Sequence, residues 1–269
     1  MYASYFYNAN ANPDDVLNDI VAILTGENKV DNLSLSCDKN QTQIKVDYSV
    51  SGWSLEGRPS ANQVVLSSPH TQDNTRKKLL VLDSSSLSSD GYLKIGSAKS
   101  YNSNNLESPY FLSSSESPKV DLTNGGRLEI YADSKIILFL SYVGGAFSAW
   151  SGICELSLTP YENKGWGLIR SYNVAVAEVY HFNGSIYFWM SVSFVLSIGR
   201  SPALDGSIVE STRLFVSSSG LKIFSEITSV YVLPDRFGAV FDTIVYPDGK
   251  TYVIWTRNGN ERRVAVPWG

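Results

Sequence analysis

Cysteine, histidine and charge are all scarce in this 269-residue chain, and each shortage removes a class of function. Cys37 and Cys154 are the two cysteines. They are too few for a disulfide scaffold and lie in no CxxC spacing, leaving either two half-buried thiols or one long-range disulfide. His70 and His181 stand far apart with no repeated acidic pattern around either, so no metal-site signature is present. Charged residues make up 18% of the chain, below the usual quarter, and the formal charge is −4. No basic field exists to displace counterions from a phosphate backbone, which excludes nucleic acid as a partner. The longest apolar stretch, Ile136 to Val143, has the length of a strand, well short of the roughly 18 residues a membrane helix needs. Membrane insertion is therefore not expected. The opening residues hold no basic segment followed by an apolar run, so the expectation is synthesis and folding in the cytosol.

Motifs of catalysis are missing as well. There is no G-x-S-x-G elbow, no phosphate-cradling glycine loop and no dinucleotide fingerprint. Cys154 and His181 could be imagined as a nucleophile and its base, but nothing near either supports the pairing. The acids within apolar stretches, Asp121, Asp133, Glu155 and Glu178, read as the wet faces of strands. Arg76-Lys77-Lys78 and Arg262-Arg263 read as solvated strand or loop ends, the second pair as protection of a sheet edge. The expectation is no enzyme, with no catalytic, cofactor-binding or metal-binding residues.

What the chain does have is one well-punctuated helix and a long run of strand signals. Asn12 is a good N-cap, Pro13 suits the first helical position, and Asp14 and Asp15 complement the positive end of the dipole. Leu17, Ile20, Val21 and Leu24 repeat at helical spacing, Val16 and Ile23 widen the stripe, and Gly26 is placed to end it. Such a face must dock, either on the chain's own β body or on a neighbouring subunit. After Glu27 the period changes from 3.6 to 2. Ile44–Val50 alternates, while Gln63–Leu66 and Lys78–Leu82 are short continuous apolar runs. Residues 84–117 contain 13 serines in 34 residues and read as loops around short strands such as Tyr92–Ile95. Strand signals resume at Gly126 and continue to Val266. Asn183-Gly184 signals a type I′ hairpin, and a three-stranded meander turns at Pro247-Asp248-Gly249 and Asn258-Gly259-Asn260.

The expected fold is mainly β, in antiparallel sandwich-like domain(s) with one short N-terminal helix. The expected division is an assembly segment over 1–30, a β domain over 31–163, and a second domain or continuation over 164–269. Sixteen Tyr, eleven Phe and six Trp make up 12% of the chain. Most such aromatics are core or cross-strand pairs. Trp166, Tyr180, Tyr187 and Trp189 are nevertheless candidates for a glycan-stacking face, because sugar C–H faces stack on rings.

The opening Phe6-Tyr7-Asn8, the capped helix from Asp14 to Glu27, Leu33-Ser-Leu-Ser-Cys37-Asp38-Lys39 and Gly52-Trp53-Ser-Leu55 resemble the start of structural proteins of tailed-bacteriophage virions. Arg127–Tyr131 through Trp150–Leu156 is similar to them in its order of β segments. The resemblance covers about half the chain and brings no site residues. It implies a non-catalytic subunit of the tail, baseplate or fibre, with a capsid decoration protein or a carbohydrate-binding, receptor-binding protein for host attachment as alternatives. The implied partners are copies of itself, other virion structural proteins and a host-surface glycan, with the virion, assembled in host cytoplasm, as its location. The candidate assembly interface is Tyr5, Phe6 and Tyr7, as strand or aromatic plug, with Leu17, Ile20, Val21 and Leu24.

Overall fold

The computed structural model describes residues 1–26, 51–71, 73–156, 165–173, 176–182, 187–193, 212–218, 223–233, 242–245, 249–255 and 263–267, with side chains 146–149, 156, 171–233 and 263–264 outside that description. Cys37, the expected strand Ile44–Val50, and the side chains of Tyr180, Tyr187, Trp189 and Glu178 therefore lie outside the described residues.

The chain opens with β1 (Tyr2–Tyr7) and α1 (Pro13–Thr25), then β2 (Ser54–Ser60), β3 (Gln63–His70), β4 (Asp73–Asp83), β5 (Lys94–Ser97), β6 (Ser100–Asn102), β7 (Asn105–Glu107) and β8 (Tyr110–Phe111). β9 (Gly126–Ala132), β10 (Ile136–Val143), β11 (Ala146–Leu156), β12 (Gly165–Asn173), β13 (Val176–Phe182) and β14 (Tyr187–Ser193) follow. The last strands are β15 (Thr212–Ser218), β16 (Ile223–Leu233), β17 (Thr243–Val245), β18 (Thr251–Trp255) and β19 (Arg263–Pro267). One twelve-stranded sheet runs in the order β1-β9-β10-β11-β12-β13-β14-β15-β16-β19-β18-β17, and a five-stranded sheet in the order β2-β3-β4-β5-β8. All the strand pairs among the described residues are antiparallel, including β1 with β9 across a long connection. The fold is thus mainly β, sandwich-like, with one short helix among the described residues.

Helix α1 forms where its punctuation predicts. The Asn12 side chain accepts the Asp14 backbone N–H at 2.9 Å. Gly26 ends the helix in the left-handed region at φ +62°, a conformation glycine adopts without a Cβ penalty. Val16, Leu17, Ile20, Val21, Ile23 and Leu24 are all buried. They belong to one core cluster with Tyr5 and Tyr7 of β1, Val64 and Leu66 of β3, Leu80 and Leu82 of β4, and Leu128, Ile137, Phe139 and Leu168 of the long sheet. At about 1.5–3 kcal/mol for each fully buried large side chain, this stripe carries a substantial part of the fold's stability.

This packing corrects the expected assembly interface. Tyr5, Leu17, Ile20 and Leu24 are fully buried, and Tyr7, Val21 and Phe6 are at most 6% exposed within a single chain. β1 pairs with β9 along its whole length, Tyr2 opposite Tyr131 through Tyr7 opposite Gly126. The N-terminal segment is an edge strand and a core helix of the β body, so the described residues 1–26 are not a separate unit. The boundary drawn near 163 also falls inside one sheet, because β11 and β12 pair from Ser151–Arg170 to Leu156–Gly165.

The helix and the five-stranded sheet cover one face of the long sheet at β1 and β9 to β12. On its other face Tyr131, Leu138, Leu140 and Trp150 are buried too. The Trp255 ring of β18 lies 5.9 Å from that of Tyr2, so the C-terminal end of the sheet folds back over its beginning. Gly152 makes the close strand approach possible: a Cβ there would meet the Ile137 carbonyl oxygen at 1.8 Å. The outer face of the five-stranded sheet, at Val65, Leu79 and Val81, is covered by Tyr101 and Leu106 of the β6–β7 hairpin. The C-terminal meander is present, but β19 lies between β16 and β18. Arg263 is therefore on an interior strand, and the edge is β17. The Asn183-Gly184 signal lies outside the described residues; the strands on either side of it, β13 and β14, pair antiparallel.

Candidate functional site

The alternation of β4 places Lys78 on the same face as Leu80 and Leu82, which are core residues. Lys78 is fully buried, contrary to its expected role as a solvated strand end. Its ammonium donates to the carbonyls of Pro69 at 2.6 Å and Ser134 at 2.8 Å, and to Glu155 Oε2 at 2.6 Å. The Trp53 ring centre lies 5.9 Å from Nζ, and the indole is held by its N–H donating to the Asp133 carbonyl at 2.9 Å.

Glu155 belongs to β11 and shares a face with Ile153 of the core. It is 1% exposed, not on a wet face as its alternation with apolar residues suggests. Oε2 accepts the Thr71 backbone N–H at 2.9 Å, and Oε1 accepts the Thr71 hydroxyl. His70 closes the group: Nε2 lies 3.2 Å from the Gly165 carbonyl and Nδ1 3.8 Å from Glu155 Oε1. A carbonyl only accepts, so Nε2 carries a hydrogen. Four elements meet here, the β3–β4 hairpin of one sheet and the β11–β12 pair of the other.

Burial pushes the Lys78 amine below its ordinary value, against the pull of Glu155. Burial also works against the Glu155 carboxylate, but the hydrogen bonds from Lys78 and Thr71 outweigh it and hold the group below the carboxylate range. His70 is held below its ordinary value, first by burial, with Glu155 opposing.

A second buried charge sits on the opposite face of the long sheet. Glu129 is fully buried and accepts the Ser4 hydroxyl at 2.6 Å and the Tyr2 hydroxyl, both at Oε2. Arg127 Nε stands 2.5 Å from Oε1 in an ion pair that lacks hydrogen-bond geometry. The guanidinium lies between the rings of Phe6 and Tyr142, at 5.4 and 5.5 Å. Trp255 Nε1 donates to the Tyr2 hydroxyl at 3.3 Å. Burial pushes the Glu129 carboxyl up, in spite of Arg127.

Of the remaining sequence candidates, backbone register sets Trp166, Tyr180, Tyr187 and Trp189 in two neighbouring cross-strand rows of β12, β13 and β14. Trp166 is 3% exposed and its N–H donates to Ser97 Oγ at 2.9 Å, which removes it from a glycan-stacking face. Tyr180 stands opposite Leu168, Trp189 opposite Tyr180 and Tyr187 opposite Phe182 in backbone register. Cys154, Gly167 and His181 form one cross-strand row, which sets the backbones at 154 and 181 two strand spacings apart, about 10 Å. Cys154 is buried and free, and burial pushes its thiol far up, the reverse of an activated nucleophile. Asp133 and Asp121 serve turns: Asp133 Oδ1 accepts Lys135 N at 2.7 Å and Asp121 Oδ1 accepts Thr123 N at 3.0 Å. Among the described residues no group of three or more His, Cys, Asp or Glu could hold a metal ion. No helix of the described residues is long and apolar enough to cross a membrane. The chain matches no protein-family model and no curated protein.

Sequence reasoning missed Lys78, Glu155 and His70 as a group. The available signal was parity, because Lys78 is in phase with Leu80 and Leu82, and Glu155 with Ile153. What parity does not supply is the partner.

Proposed function

We propose that the chain is a non-catalytic structural subunit of a tailed-bacteriophage particle, in the tail, baseplate or fibre, working by self-association and by docking on other virion proteins. The observation that carries this reading is the use made of buried charge. Lys78, Glu155, Arg127 and Glu129 are spent on contacts inside the body, where they tie strands and sheets together. Such an interior supports a rigid building block. The opening segments that resemble virion proteins support the same reading.

Contacts with neighbours then fall to surfaces other than the N-terminal stripe. Among the described residues β17 pairs with β18 alone, and Val245 on it is 68% exposed. An uncharged edge of this kind offers backbone donors and acceptors to another strand. Immunogold labelling of purified particles, with light scattering of the isolated chain, tests the proposal. Label on particles and a mass of several subunits are expected. A monomer at high concentration and an unlabelled particle would overturn it.

A further inference from the structure

We propose that Ser141 and Ser151 hold an internal water molecule between them, inside an otherwise apolar stretch of the core. Both residues are fully buried, and neither hydroxyl has a hydrogen-bond partner. Other buried serines differ in this respect. Ser67 donates to Glu56, Ser97 to the Leu79 carbonyl, Ser117 to the Ser113 carbonyl and Ser51 to the Leu24 carbonyl. A buried hydroxyl left bare costs its full desolvation, and native interiors satisfy such groups with protein or ordered water.

The two hydroxyls also stand close together in the sheet. β10 stays in step with β9 from Ile137 opposite Ala132 to Tyr142 opposite Arg127, so Ser141 shares a face with Phe139. Phe139 in turn stands opposite Ser151 on β11. Ser141 and Ser151 are therefore diagonal neighbours on the core face of the long sheet, to which Phe139 belongs. Diagonal neighbours stand roughly 7–8 Å apart, too far for two short side chains to bond each other directly. One water making two hydrogen bonds of about 2.8 Å spans the gap that remains.

An internal water makes about three hydrogen bonds. The third comes from the backbone, because the ladder breaks at this point. Between Leu140 opposite Trp150 and Tyr142 opposite Phe147, Ser141 alone faces two residues of β11. Such a bulge leaves one residue out of the ladder, with polar backbone groups to be satisfied. At the rim stands Arg170, opposite Ser151 on β12, which pairs with Glu116 of the serine-rich loop. A bound water accounts for two serines in phase with Ile137, Phe139 and Ile153, where packing alone calls for apolar side chains.

Oxygen-17 relaxation dispersion of the full chain, which counts long-lived internal waters, decides it. The double variant Ser141→Ala/Ser151→Ala should hold one such water fewer than the wild type. Denaturation midpoints give a second reading by their sign. With the water bound, each single alanine variant removes one of its partners and lowers the midpoint. The double variant should then fall by less than the sum, since both changes act on one molecule. With bare hydroxyls, each substitution relieves an unmet polar group and raises the midpoint. Should the double variant fail to fold, Ser151→Val, whose methyl groups take the place of the water, is read by the same count and should also lose one. A water count equal to that of the wild type in the folded variants, or midpoints that rise in both single variants, would overturn the proposal.

Discussion

Two carboxylates, Glu155 and Glu129, are buried on opposite faces of the same sheet, each beside a cation, and their acidities move in opposite directions. Glu155 receives Lys78 and two donors from Thr71 in hydrogen-bonding geometry, and these outweigh the penalty of burial. Glu129 receives two hydroxyls on one oxygen, while its cation approaches the other out of hydrogen-bond line. There burial prevails. The proximity of a counter-charge thus does not by itself decide whether a buried carboxylate is stabilised; the depth of its burial and the donors it receives count as well. Span differs too. Arg127 and Glu129 are two apart on one strand, so their pairing is local, whereas Lys78–Glu155 fixes one sheet against the other.

The largest expected effect comes from removing the cation of the saturated pair. Lys78→Met strands Glu155 as an unbalanced buried charge and should cost about 3–5 kcal/mol in denaturant unfolding. Lys78→Met with Glu155→Leu should recover most of that loss, because an apolar pair leaves no charge behind. A double variant as unstable as the single would show that the cluster's value lies in its shape and not in its charge balance.

Next comes the matched pair of neutralisations. Glu155→Gln leaves the Lys78 ammonium without its anion in a fully buried site, and a loss of roughly 3 kcal/mol or more is expected. Glu129→Gln removes a charge that its site holds poorly, and Arg127 keeps its two ring contacts and a side chain 14% exposed. A loss of about 1 kcal/mol or less is expected there. Equal losses would dissolve the contrast.

Acid titration of stability sharpens it from another side. The depressed carboxyl of Glu155 contributes stability that is present above the ordinary value of 4.5 and is lost as pH falls through its lower folded value. His70 acts in the same sense from higher pH: its folded value lies below 6.5, so the unfolded chain binds the proton first and stability declines as pH falls below 6.5. Glu129 opposes them, since its raised folded value gives stability that is present below 4.5 and lost as pH rises through that value. Midpoints of denaturation should therefore fall from pH 7 towards pH 5, and His70→Gln should flatten that part of the curve. A wild-type midpoint rising towards acid pH would make Glu129 dominant.

Much of the fold is legible in the sequence where the determining signal is local. The helix from Asn12 to Gly26 carries its own caps, dipole charges and period, and the C-terminal meander carries its turns. The stripe of α1 declares that it must be buried but not against what, and both β body and neighbour satisfy its period. The charge clusters escape for a related reason. A lysine beginning Lys78-Leu-Leu-Val-Leu and a glutamate within Cys154-Glu-Leu have the local pattern of wet-face residues. Only the long-range pairing of sheets gives each a counter-charge. Arg263 misleads in the same way, because strand order and not local charge decides which strand is an edge.

The smallest effect tests the weaker cluster from its donor side. Tyr2→Phe removes one of the two hydroxyls on Glu129 Oε2 and leaves Trp255 Nε1 without that acceptor. Ser4 still donates to the same oxygen, and the phenyl ring preserves the contact with Trp255. Loss of a single hydrogen bond, with Ser4 still donating to the same oxygen, should cost about 0.5–1.5 kcal/mol. The variant should also push the Glu129 carboxyl further up, as loss of a donor to the charged form does. Carboxyl chemical shifts followed by NMR across acid pH would read that movement directly. Should Glu129 titrate lower in Tyr2→Phe, or stability fall as far as in Glu155→Gln, the Tyr2 hydroxyl would be a principal support of the carboxylate, and the two faces of the sheet would bury charge by the same rule.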